Sequence, residues 1–201
     1  MSDPHAAQIP IWAKLLYTLM VSVVVIVYSI KYKPSNFLWF SDIALLGTGA
    51  ALWLESSLIA STMAVGVLLP ELFWNFGYFV RLVSGKQMTD LTAYMFDGRR
   101  SRFMRGLSLF HIVLPPLLLW LVARLGYDTH ALVAMTILST IVLPVTYAAT
   151  KPEHNINWVH RWGDARPRGT SGRGYLALLM VAYPVVIFLP THFLLRGIFQ
   201  K

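Results

Sequence analysis

The sequence predicts an all-α integral membrane protein, a bundle of about six transmembrane helices with both termini outside the cytoplasm. Of the 201 residues, 56% are hydrophobic and only 13% are charged, whereas roughly 25% charged residues is usual in a soluble domain. Apolar runs of about 20 residues, enough to span a ~30 Å hydrocarbon core, recur along the whole chain. They leave no room for a separate soluble domain. Residues 1–201 are therefore expected to form a single transmembrane domain.

Six apolar runs define the expected spans, at about 11–31, 37–57, 58–82, 104–124, 129–150 and 175–197. The first run is expected to be retained as a helix, because the residues before it contain no Lys or Arg and no small-residue cleavage site follows it. The chain has no cysteine, which excludes disulfides, thiolate metal sites and cysteine nucleophiles.

Basic residues are divided unequally between the two sides of this predicted bundle. Thirteen of the 17 Lys and Arg residues fall in the three odd-numbered loops, and four lie on the side of the termini. Because cytoplasmic loops carry the basic excess, the odd loops are expected in the cytoplasm. The expected location is the bacterial cytoplasmic (inner) membrane. Beside six spans, anionic lipid headgroups are favoured as partners over nucleic acid. Other membrane subunits are a further candidate.

Two of the cytoplasmic loops are long enough to have a shape of their own. The loop 84–106 mixes apolar residues with basic ones, which fits either a short interfacial helix or an irregular loop. In the loop 151–174 the front half, "HNINWVH", is rich in side-chain donors and carries an aromatic anchor. We expect that half to fold back against the bundle.

Ionisable residues lie inside the predicted spans at similar depths. At ~1.5 Å per residue, Asp42 and His111 lie ~8–10 Å from the cytoplasmic end, and Glu71 lies ~16 Å from it. Asn75 follows Glu71 by four residues and shares its helix face. A charged side chain in the core costs roughly 2.5–3.5 kcal/mol on insertion scales, and it normally faces a cavity or a partner. The pattern predicts a polar intramembrane pocket near the cytoplasmic side. The alternative is a structural network of hydrogen bonds between helices.

The candidate residues of this pocket fall into two groups. The catalytic candidates are His111, Asp42 and Glu71. The substrate-binding candidates lie beside them in the spans or in the "HNINWVH" loop, and they are Ser41, Asn75, Ser108, Tyr147, Asn155, Asn157 and Trp158.

A weaker secondary group lies near the outer face and comprises Glu55, Thr191 and His192. These residues are within about two turns of a span end, where a polar side chain reaches water at little cost. The chain contains no HxxxH or HExxH spacing that would indicate a helical metal site. The sequence therefore assigns neither a metal nor a cofactor.

Several long strings carry a resemblance to known proteins: "NFLWFSDIALL", "LLPELFWN", "LSLFH", "NINWV" and "LPTH". Together they resemble an uncharacterised bacterial "membrane-associated protein" family over residues 36–197, a name that implies no activity. A weaker architectural likeness links the chain to YwaF-like membrane proteins and to androgen-induced intramembrane hydrolases, which are six-span lipid esterases thought to use a Thr and a His. On that likeness His111 matches the catalytic His. Ser41 or Asp42 falls near the nucleophile's place, where this chain has no Thr.

Two classes of function follow from these observations. In the enzyme hypothesis a lipid-acting hydrolase or transferase uses His111 as general base, Asp42 or Glu71 as its orienting group or acid, and Ser41 or Ser108 as nucleophile. In the other hypothesis the protein is a non-catalytic accessory subunit of a larger membrane complex, or a small-molecule or lipid carrier.

Overall fold

A computed structural model describes residues 9–161 and 171–200. Over these residues the chain is 81% helical and contains no strand. Five helical segments are long and apolar enough to cross a membrane, namely Ile11–Lys31, Ser57–Ser84, Arg102–Leu125, Ala131–Ala149 and Gly172–Phe199. These segments indicate a membrane protein and correspond to five of the six predicted spans.

The helices follow one another with short connections. In chain order they are α1 (Ile11–Lys31), a 3₁₀ turn (Pro34–Leu38), α2 (Phe40–Leu54), α3 (Ser57–Ser84), a 3₁₀ segment (Asp90–Phe96), α4 (Arg102–Leu107), α5 (Phe110–Leu125), α6 (Ala131–Ala149), a 3₁₀ turn (Ile156–Trp158), α7 (Gly172–Ala182), a π-helical stretch (Tyr183–Phe188) and α8 (Leu189–Phe199).

The second predicted span, 37–57, is shorter in the structure than the sequence predicts. Its helix, α2, has 15 residues, about 22 Å at 1.5 Å per residue, where about 20 residues are needed to span the core. The chain before it forms the separate turn Pro34–Leu38, and the helix ends at Glu55, which has a left-handed backbone with φ 48°. Helix α2 nevertheless runs antiparallel to α1, because Tyr17 donates to the Leu45 carbonyl at 2.8 Å and Lys14 pairs with Glu55.

Helix α3 is the centre of the bundle and packs on α2, α5, α6 and α8. Of its most apolar window, 61% is buried inside the protein, against 28–39% for the other four candidate spans. Small residues allow this close packing, since the space that a Cβ atom would take at Gly66 is filled by the Met135 side chain. Pro70 lies within α3 and does not end it. The polar residues of α3 are thereby surrounded by protein on several sides.

The two ends of the bundle differ in charge. At one end, which we call the basic end, α3 finishes and α5 begins, with Arg81, Arg99, Arg100, Arg102 and Arg105 between them. At the opposite end, Lys14 contacts Glu55, and the main-chain N–H of Asp128 donates to Ser61 at 3.0 Å. The site described next lies toward the basic end.

Candidate functional site

A short polar contact between α3 and α5 joins two ionisable residues. The Glu71 Oε2 atom lies 2.7 Å from Nδ1 of His111, and the two side chains are 4% and 14% exposed. The Trp74 ring stacks on the imidazole with the centroids 4.6 Å apart and the planes 25° apart. A carboxylate on one ring nitrogen fixes the tautomer and the orientation of the other. Within residues 9–161 and 171–200, no group forms a hydrogen bond with Nε2 of His111, so this nitrogen remains available as a base.

Asn75 lies one turn beyond Glu71 and fixes the same helix pair. Its Nδ2 donates to the main-chain carbonyl of Glu71 at 2.8 Å and to that of His111 at 2.7 Å. The Asn75 side chain therefore bonds the backbone of both helices, and among the described residues only the imidazole bonds the Glu71 carboxylate.

Asp42, in the first turn of α2, extends this group of polar residues. It is 3% exposed, and Asn36 donates to its Oδ2 at 3.3 Å. Among the described residues nothing hydrogen-bonds its Oδ1. Asp42 also lies within electrostatic range of both His111 and Glu71. A buried carboxylate oxygen without a donor costs free energy. Asp42 carries this cost within the site.

Two tyrosines that the sequence did not single out complete the site. The Tyr28 hydroxyl lies 3.4 Å from Oγ of Ser108. The hydroxyl of Tyr94, in the 3₁₀ segment Asp90–Phe96, lies near Ser108 and Trp74. Burial raises the pKa of Tyr94 well above its usual range, so the phenol stays protonated. Sequence reasoning missed these tyrosines because a Tyr at a membrane interface is ordinary.

We call the resulting set the polar cluster: Tyr28, Asp42, Glu71, Asn75, Tyr94, Ser108 and His111. Five segments contribute to it, namely α1, α2, α3, the 3₁₀ segment Asp90–Phe96 and α5, together with the residue Ser108 that precedes α5. Within the part of the chain that the structure describes, no three His, Asp or Glu side chains are arranged to hold a metal ion.

Four residues predicted for the site lie apart from His111. The ring of Tyr147 packs on His160 at 4.9 Å. Asn155 closes its own turn, accepting from the main-chain N–H groups of His160 and Arg161 at 3.1 and 3.2 Å. Trp158 packs edge-on against Trp39 at 6.3 Å. Ser41 is half-buried next to Asp42. The structure brings none of these four into contact with His111.

Asn157 connects its loop to the start of α2, close to the site. Its Oδ1 accepts from the main-chain N–H of Phe40 at 3.1 Å, and its Nδ2 donates to the Leu38 carbonyl at 2.7 Å. Tyr183 donates to the Asn157 carbonyl at 3.1 Å. These contacts confirm that "HNINWVH" folds back on the bundle. They also fix the start of α2, two residues before Asp42.

The backbone of this turn has an unusual conformation. Asn155, Asn157 and Trp158 have φ values of 37°, 50° and 53°, in the left-handed region that costs most non-glycine residues free energy. Asparagine tolerates it better than most residues. Surrounding contacts must therefore hold the turn in place.

The secondary group near the opposite end separates into independent contacts. Glu55 pairs with Lys14 at 2.8 Å and accepts from the main-chain N–H of Ile9 at 3.3 Å. His192 instead contacts the hydroxyl of Tyr127 through Nδ1 at 2.7 Å, and burial raises the pKa of that tyrosine to about 12. Thr191 donates to the Ile187 carbonyl within its own helical stretch at 2.6 Å. Glu55 thus joins the end of α2 to α1, whereas His192 joins α8 to the connection between α5 and α6.

Comparison of the chain with known protein families, with curated proteins and with solved structures gives no match. The resemblance of the strings above to the bacterial "membrane-associated protein" family stays a prediction.

Proposed function

We propose that this protein is an enzyme of the bacterial inner membrane that hydrolyses or transfers an ester group of a lipid. His111 is its general base, and Glu71 orients the imidazole. The observation that carries the proposal is the 2.7 Å contact between Glu71 and His111, which leaves Nε2 free beside a buried carboxylate. A base with an orienting carboxylate is the arrangement that activates water or a hydroxyl in many acyl-transfer enzymes.

The Glu71–His111 pair supports hydrolysis of an ester by an activated water molecule. Nε2 of His111 takes a proton from a water molecule, whose oxygen attacks the carbonyl carbon or phosphorus of the ester. The bond to the leaving oxygen breaks, and His111 returns the proton to that oxygen. Glu71 stabilises the imidazolium between the two transfers. When the attacking oxygen belongs to the hydroxyl of a second molecule, the same sequence transfers the group.

The contacts of Ser108 favour direct attack over a serine nucleophile. Its Oγ lies 3.4 Å from the Tyr28 hydroxyl and 3.5 Å from the Met104 carbonyl, and it makes no described contact with His111. A nucleophilic serine would need its hydroxyl within about 2.6–3.2 Å of the base.

A lipid substrate fits the surroundings of the site. The side chains next to Glu71 and Asn75 on the outer face of α3 are apolar and exposed, among them Leu72, Phe73 and Phe76. In a bilayer such a face contacts acyl chains, so an ester bond near the interface can approach the partly exposed His111 from the side.

The orientation is part of the same proposal. The basic end faces the cytoplasm by the positive-inside rule, and both termini lie on the other side. This requires α2 to act as a sixth crossing. Two contacts support that role, since Asn157 holds its first residue at the basic end and Lys14 binds Glu55 just after its last residue.

The proposal is tested by reconstituting the purified protein into vesicles of bacterial polar lipids and following the lipid species by mass spectrometry. We expect the wild type to convert a lipid class, and His111→Gln and Glu71→Gln to lose the conversion while keeping the melting temperature. A lipid pool that the wild type leaves unchanged would refute the proposal. It would favour an accessory subunit or a carrier, in which the polar cluster only joins helices.

A further inference from the structure

A cleft opens at the basic end, between the last turns of α3 and the 3₁₀ segment Asp90–Phe96. Its volume is about 420 Å³, and its walls include three guanidinium groups, those of Arg81, Arg99 and Arg100. Asp90 and Asp97 also line it. What the cleft can bind depends on which of these charged side chains already have a partner in the protein.

The two carboxylates of the cleft are already engaged. Asp97 forms an ion pair with Arg99, with Oδ2 and Nη2 3.0 Å apart. Asp90 accepts from the side chain of Gln87 at 2.6 Å. The charge of Asp97 is therefore compensated by Arg99, whereas Asp90 keeps its charge and accepts a hydrogen bond from a neutral amide.

The other two guanidinium groups lie on aromatic rings. Arg81 lies 4.5 Å from the ring centroid of Phe96, and Arg100 lies 5.3 Å from that of Tyr94. In residues 9–161 and 171–200 neither forms an ion pair with a carboxylate. Stacking on a ring holds a guanidinium in place and leaves its edge N–H groups accessible to a phosphate. Arg81 also donates from Nη1 to Oε1 of Gln87 at 2.8 Å, whereas none of the described residues accepts from the guanidinium of Arg100.

Tyr94 connects this cleft to the polar cluster. Its ring lines the cleft and supports Arg100, while its hydroxyl lies near Ser108 and Trp74. Trp74 in turn stacks on His111 at 4.6 Å. A group bound between Arg81 and Arg100 is thus separated from the reactive imidazole by two aromatic side chains.

We infer that the cleft binds the phosphate group of a lipid headgroup through Arg81 and Arg100, and that it holds the lipid with its ester bond toward His111. The second half of this inference rests on the proposed function, whereas the binding does not. The recognised chemistry is a phosphoryl group, which an anionic phospholipid or free phosphate can supply.

The test measures binding to the purified full-length protein in an uncharged detergent. The probes are a short-chain phosphatidic acid, the matching phosphatidylcholine and inorganic phosphate. We expect phosphatidic acid to bind most tightly. Arg100→Gln and Arg81→Gln should each weaken it about tenfold or more, as expected when a charged hydrogen bond is lost. Arg102→Gln is the matched control, because it removes the same charge from an exposed residue outside the cleft, and we expect a change within about twofold.

Three results would separate the possible outcomes. Equal loss in Arg100→Gln and Arg102→Gln would overturn the inference, because the effect would then be general charge attraction. Inorganic phosphate that binds as tightly as phosphatidic acid, with the same dependence on Arg100, would overturn the lipid assignment and identify a soluble phosphate ligand. Normal phosphatidic acid binding by His111→Gln, with no turnover by the wild type, would leave the cleft established and refute the proposed reaction alone.

Discussion

The side chain of Asn75 donates to the main-chain carbonyl of His111 across the interface of α3 and α5, at 2.7 Å. A side-chain amide that bonds the backbone of a second helix fixes the spacing of the two helices independently of any charge. Asn75 therefore holds the two helices together, and the hydrogen bond between Glu71 and His111 is a second, independent contact between them.

Asn75→Ala should loosen this helix pair. The change removes both hydrogen bonds of the amide and leaves the His111 carbonyl without its donor, and we expect a loss of about 1–2 kcal/mol in the free energy of unfolding. Reversible unfolding in mixed micelles measures it. Thr140→Val is the control, because Thr140 is exposed and bonds only the Thr136 carbonyl in its own helix. Equal effects of the two changes would contradict the assignment.

Glu71→Gln and Glu71→Leu should both lose lipid turnover, but only Glu71→Leu should also lose stability. Gln keeps an acceptor for Nδ1 of His111 but loses the charge that stabilises the imidazolium, so we expect a stable protein without lipid turnover. Leu leaves the imidazole without a partner and should also lower stability, by about 1–3 kcal/mol. Melting temperature and turnover are measured together, with Glu153→Gln, at an exposed loop position, as the control. Full turnover by Glu71→Gln would show that Glu71 only joins helices.

Tyr94→Phe should affect turnover without affecting phosphate binding. The ring that supports Arg100 remains, and only the hydroxyl, which lies near Ser108 and Trp74, is lost. We expect kcat to fall roughly two- to tenfold, the value of one neutral hydrogen bond, with an unchanged Kd for phosphatidic acid. A variant that loses binding instead would place the hydroxyl in the cleft.

Two substitutions of Asn157, in the turn with a left-handed backbone, should lower the stability by different amounts. Both Asn157→Gly and Asn157→Ala remove the side-chain bonds to Leu38 and Phe40. Gly accepts the left-handed backbone at φ 50°, whereas Ala does not, so Ala should be less stable than Gly by about 1 kcal/mol. Thermal unfolding of both variants measures the difference. A more stable Ala variant would mean that the turn relaxes when the side chain is lost.

The proposed orientation places both termini outside the cytoplasm. Fusions of a periplasm-specific reporter to the C-terminus should be active, and fusions of a cytoplasm-specific reporter should be inactive. Insertion of the same reporters between Gly98 and Arg99, in the loop at the basic end, should give the reverse. A C-terminus active only in the cytoplasm would mean that α2 does not cross.

Long apolar runs made most of the fold predictable from the sequence. The predicted first span, 11–31, has the bounds of α1, and the third, 58–82, differs from α3 by two residues or fewer at each end. The second span was predicted too long because its apolar composition continues through Pro34–Leu38, where the chain turns instead of forming an α-helix. An apolar composition indicates that a segment lies in lipid, but it does not show where the backbone turns.

The candidate site could be predicted only in part, for a related reason. Glu71, Asn75 and His111 are conspicuous because polar residues in a span need partners, and the structure pairs them. Tyr147 has a similar predicted depth but packs on His160, since depth estimated from rise per residue says nothing about rotation around the helix axis. Trp158 was predicted from its loop, and it packs on Trp39. Tyr94 entered the site through a loop whose fold the sequence left open.

The central burial of α3 has a consequence for how the chain is assembled during synthesis. Glu71 leaves the ribosome 40 residues before His111, its partner, so α3 must enter the membrane while its carboxyl group has no imidazole to meet. Insertion of α3 should therefore be inefficient until α5 follows. Nascent chains that stop before residue 100 should have α3 largely accessible to a water-soluble thiol reagent at an introduced Leu72→Cys, and chains that include residue 125 should have it protected. The order of the helices along the chain makes α5 the element that commits the protein to its membrane-inserted form.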